Sequence, residues 1–110
     1  MTIDDRRIYD FFLALAMQSM EAQGRGDILI AFENDHADQD VLQDKYNEFN
    51  VELSKSEVMT NVACMLGLER QYADWTHANK KHLEKLEEQM KTISQLKVIV
   101  TKLEDKGGVN

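Results

Sequence analysis

"GRGDILIAFEND", residues 24–35, is the stretch on which the fold turns. Gly24 and Gly26 read as the end of a first helix, after which Asp27 caps a short second one. The alternative is a strand over Ile28 to Phe32. A lone strand has no partner elsewhere in this chain, so the helical reading is favoured. The tripeptide Arg25-Gly26-Asp27 matches a well-known integrin-binding signal, but in a chain of this composition it reads as a helix break.

Upstream, Thr2 with Asp5 resembles a capping box that has Asp in place of Glu. A helix from about Ile3 to Gln23 follows, with Ile8, Phe11, Phe12, Leu15 and Ser19 on one face and Leu13, Met17 and Met20 on another. A helix apolar on most sides is buried on most sides. Downstream, the spacing predicts a third helix over 38–53, with Val41, Leu42, Tyr46, Phe49 and Leu53 inward. Ser54-Lys-Ser-Glu57 then matches Ser-x-x-Glu, the start signal of a fourth. Its buried stripe is Val58, Met59, Val62, Ala63 and Leu66, and Cys64 among them reads as a buried, inert thiol.

From Leu68 onward the chain has neither glycine nor proline until Gly107, which predicts one long helix over 68–106 and a frayed tail over 107–110. Heptad position a takes Tyr72, Asn79, Leu86, Ile93 and Val100. Position d takes Leu68, Trp75, His82, Gln89, Leu96 and Leu103. Asn79 and His82 interrupt an otherwise apolar seam. A straight helix drifts against a strict heptad, so Leu83 and Met90 should become the inward residues there. A polar layer that sets register is the alternative, ahead of a ligand or metal site. Such a helix is about 57 Å long, whereas a compact globule of this length is only about 34 Å across. Either the helix kinks or its far end projects, and a projecting end exposes Ile93, Leu96, Val100 and Leu103 as a homodimer interface.

Composition bounds the function. The 110 residues contain no proline and a single cysteine, which favours long helices and excludes an internal disulfide. The N-terminus lacks a basic, then apolar, secretory signal, and the longest apolar run, "FFLALAM" from Phe11, is too short to span a bilayer. A cytoplasmic chain without membrane contact is the expectation. The net charge is −7, and residues 27–57 hold nine acids against two lysines, an excess equal to that whole charge. Direct nucleic-acid binding is therefore disfavoured, and a partner protein with a basic surface fits better. Asp40, Asp44, Glu48 and Glu52 recur every four residues as an acidic ladder. Like charges at that spacing cost about 0.2–0.5 kcal/mol per pair, so the ladder reads as a partner-binding ridge.

Catalytic signatures are weak. Glu33-x-x-His36 and Asp74-x-x-His77 have the carboxylate–histidine spacing of di-iron bundles, but Asp74 and His77 fall on the outer heptad face. Glu84-x-x-Glu87 resembles half of the magnesium-binding motif of all-α nucleotide pyrophosphatases, without its second half. "GRGD" lacks the further glycine and lysine of a phosphate-binding loop. No catalytic residue, metal ligand or cofactor is assigned.

The sequence thus predicts an all-α protein of one structural domain, a small helical bundle of about four to five helices. Residues 1–67 form an acidic region of short helices. Residues 68–106 form a long, coiled-coil-like C-terminal helix packing on it and on a second subunit. The expected function is a non-enzymatic adaptor or inhibitor whose segment 27–57 docks on a basic surface. Alternatives are a nucleic-acid-mimicking inhibitor of the small phage type and a metal-dependent all-α hydrolase.

Overall fold

The computed structural model describes residues 3–107, with side chains from 4 to 104. The Thr2 capping box and residues 108–110 of the tail lie outside the described residues. The fold is all-α, with four helices among the described residues: α1 (Ile3–Asn34), α2 (Gln39–Met65), α3 (Glu69–Ala78) and α4 (Lys80–Gly107). α1 runs up, α2 returns beside it, α3 sets Tyr72 and Trp75 against Phe12 at the base, and α4 rises along α1's other flank. α2 and α4 each pack on α1 and scarcely touch one another.

The helix break foreseen at Gly24 and Gly26 does not occur. α1 continues through both glycines to Asn34. A Cβ at Gly24 would lie 2.7 Å from Ser94 Oγ of α4, and one at Gly26 would lie 3.2 Å from the Phe49 ring of α2. The glycines therefore mark where two neighbouring helices approach α1, a use that needs no Cβ rather than a left-handed backbone. Each costs about 1 kcal/mol in helix propensity, which the close packing offsets. Arg25, between them, pairs with Glu21 at 3.3 Å and with Glu48 at 3.5 Å.

The real stop comes later. His36 has φ of 54°, and the hydrogen bonds His36 N–H to Glu33 and Ala37 N–H to Phe32 form a Schellman motif. The same motif ends α2, with Gly67 at φ of 66° and bonds from Gly67 to Cys64 and Leu68 to Ala63. Glycine announces the second turn; the first is held by a histidine.

Ser54 starts no new helix, because α2 is continuous from Gln39 to Met65. Along α1, Phe12, Leu15, Ser19, Ala22, Gly26 and Leu29 are spaced by alternating threes and fours. On α2, Ala63, Met59, Ser56, Glu52, Phe49 and Lys45 have the same spacing in reverse. This is an antiparallel hairpin seam. Gly26 meets Phe49, and Ser19 shares a 3.1 Å hydrogen bond with Ser56. The polar members of this seam hid its continuity. Tyr46, Val58, Val62 and Leu66, expected inward, are exposed, while Ala63 is buried and Met59 half-buried. Cys64 is also exposed. Partial desolvation, then the adjacent Glu69 carboxylate, push its thiol pKa up, so it stays protonated near neutrality.

The expected single C-terminal helix is jogged at Asn79. Its side-chain amide donates to the Trp75 carbonyl at 2.8 Å, while Leu83 N–H bonds to the Asn79 carbonyl. Nor does its far end project from a globule. The molecule is a rod of 58 × 26 × 22 Å. Its radius of gyration is 17.1 Å, against about 13 Å for a compact domain of this length. α4 lies along α1, with Lys102 paired to Asp35 at the top. Six of the seven buried apolar residues (Phe12, Leu15, Ala16, Ala22, Ile28 and Phe32) are on α1, as expected for a helix apolar on most sides.

Candidate functional site

α4 carries two faces. Leu83, Leu86, Met90, Ser94 and Val98 are half-buried along α1, while His82 and Gln89 are exposed. The inward stripe has drifted off the heptad seam, as the 3.6-residue period requires. Each residue turns the helix by 100°, so Ile93 points well away from Ser94. The seam residues Ile93, Leu96, Val100 and Leu103 are consequently 50%, 55%, 51% and 61% exposed.

Three of them form one wall of an open groove of about 330 Å³. Ile93, Leu96 and Val100 face Lys45 and Glu48 of α2 across a floor of Arg25 and Ile28. The α2 wall has its own regular pattern. Asp44, Glu48, Val51, Lys55, Val58, Val62 and Met65 alternate in steps of four and three, a second seam on α2 beside the one that packs on α1. Val51 and Val58 are 53% and 61% exposed. This seam is acidic toward the top of the rod and apolar toward the base. Val58 and Val62, expected in the core, belong to this exposed seam. The seven-residue recurrence of Asp44, Val51 and Val58 is the signal that marks it.

The acidic ladder divides. Asp40 and Asp44 are exposed. Glu48 is engaged by Arg25 at 3.5 Å and Lys45 at 3.7 Å. Glu52, its side chain only 17% exposed, accepts from Gln18 Nε2 at 2.7 Å and from Lys55 at 3.3 Å. The Gln18 hydrogen bond, opposed by desolvation and helped by Lys55 and Arg25, holds the Glu52 carboxyl below its usual pKa. Two rungs serve the α1–α2 packing and two are open, so the uniform ridge foreseen from spacing is half as long.

The candidate metal pairs do not assemble. Glu33, His36, Asp74 and His77 are exposed, and no three His, Cys, Asp or Glu side chains among the described residues are grouped to share an ion. Glu84 and Glu87 pair instead with Lys80 and Lys91. Among the described residues no helix is long and apolar enough to cross a membrane. Comparison with known protein families, curated proteins and solved structures finds no match to this chain.

Proposed function

We propose that this chain is a non-enzymatic protein-binding module that receives a helix in the groove between α2 and α4. The supporting observation is the half-exposed α4 seam Ile93–Leu96–Val100, which is left over after α1 has been packed and faces Lys45 and Glu48 of α2 across the groove. An amphipathic helix laid in this groove makes a fourth rod and covers the α4 stripe. Asp40 and Asp44, exposed on α2 toward the top of the rod, favour a basic occupant and speed its approach. The homodimer expected through Ile93, Leu96, Val100 and Leu103 belongs to the same reading, since the first three of these residues form one wall. A nucleic-acid-mimicking role draws less support, because Glu48 and Glu52 are held within the protein.

The test compares capture of binding proteins from a lysate by the native chain and by an Asp40→Asn/Asp44→Asn variant. Partners of these two carboxylates are retained by the native chain, released by salt, and bound more slowly by the variant. Equal on-rates and equal salt dependence for the two forms exclude the docking role.

A further inference from the structure

The groove and a helix of the kind it requires are parts of the same chain. We infer that its occupant is α4 of a second copy, lying parallel to and in register with the first α4. This rests on the helix-docking reading above and names the partner. Charge supports it: from Gln89 to Leu103, α4 carries Lys91, Lys97 and Lys102 and no acid, while α2, which lends Lys45 and Glu48 to the groove, presents exposed Asp40 and Asp44 toward the top of the rod. So does side-chain shape. The exposed seam has β-branched Ile93 and Val100 at position a and Leu96 and Leu103 at position d, the arrangement that favours parallel two-stranded pairing.

Topology fixes the direction. α1 supports both α2 and α4, so the groove lies opposite α1, adjacent to both walls. A two-fold axis parallel to the helices carries the second copy's α1 and α2 to the far side of the α4 pair, where they meet nothing. An axis across the helices makes the two α4 antiparallel, but brings the second copy's α1 onto the position held by the first copy's α2. Only the parallel dimer places each α4 in the other's groove. The contact is isologous and closed, and it covers the exposed α4 seams of both copies at once.

Single cysteines introduced into a Cys64→Ser background test this. In the parallel dimer Ile93 faces Ile93 and Leu103 faces Leu103 of the second copy, within disulfide range. Ile93→Cys and Leu103→Cys chains should therefore each cross-link to themselves under mild oxidation. In an antiparallel pair Ile93 faces Leu103, with like residues about 15 Å apart. Cross-linking only in a mixture of the two variants would overturn the inference. So would a native dimer in which neither variant cross-links, which places the contact elsewhere. Native protein at micromolar concentration should scatter light as twice the 12.7 kDa chain. A fully helical monomer refutes the second copy as occupant, yet leaves the docking reading to its own capture test. Asp44→Lys should weaken the dimer about tenfold, and an unchanged dissociation constant overturns the placement of α4 beside the α2 wall.

Discussion

α1 has two ends, and they are finished differently. At the base, Phe12 is fully buried under Tyr72 and Trp75, with ring centroids 5.3 and 5.9 Å away, and Tyr9 and Phe11 complete the cluster. At the top, Phe32 is 3% exposed, but Lys45 and Lys102 lie over its ring at 5.5 and 5.8 Å. The base is closed by aromatic faces that have no other demand on them. The top is closed partly by lysine stems, whose charged heads must stay wet. Lysines cover a ring without filling the space beside it, and it is there that the α4 seam is left uncovered. The difference separates an end whose central ring is closed by other rings from one closed partly by charged side chains.

The strongest way to break this contrast is Phe12→Ala. Removing a fully buried aromatic costs about 3–5 kcal/mol, enough to unfold much of a marginally stable chain. Urea denaturation followed by circular dichroism should show the midpoint collapse. A loss below about 1 kcal/mol would mean that the base is not the anchor.

Next in size is the contact at Gly24. Gly24→Ala forces Ser94 aside and should cost about 1–2 kcal/mol, an ordinary overpacking penalty. In a Ser94→Gly background the same change should be neutral or stabilising, because alanine is the better helix former. Thermal melts of the four proteins measure this coupling. Additive effects would show that α4 does not approach α1 there.

The two turns sharpen the comparison further. His36→Gly should stabilise the protein by about 1 kcal/mol, relieving a left-handed residue, while Gly67→Ala should destabilise it by about the same. Matched denaturation curves read both signs.

Smaller effects come from the ladder. Glu52 has a folded pKa below its ordinary value of 4.5. Its contribution is therefore present above that pH and is lost as pH falls through the lower, folded pKa. Glu52→Gln should flatten the acid limb of the stability curve, and an unchanged limb would deny the Gln18 contact its role. Asp40→Asn/Asp44→Asn should gain only about 0.4–1 kcal/mol, two repulsive pairs rather than three. High salt should erase that gain.

Much of this was legible from local chemistry. The absence of proline and the recurring apolar periods specify an all-α chain, and Gly67 marks a turn because the left-handed backbone suits glycine. The a/d pattern from Ile93 to Leu103 identifies an apolar face whether or not it is occupied. What each face meets depends on residues distant in sequence. Gly24 and Gly26 resemble helix stops until Ser94 and Phe49 are brought against them. His36 ends α1 only because Ala37 and Phe32 close the Schellman turn around it. Glu48 and Glu52 look like rungs of an open ladder until Arg25 and Gln18, a helix away, engage them. Packing on α1 likewise draws on the drifted face of α4 and turns the heptad seam outward. Sequence determined which surfaces are apolar, acidic or helical; tertiary structure decided which were consumed within the chain and which remained open. Local preference depends on each residue's own chemistry, whereas burial depends on what arrives opposite it.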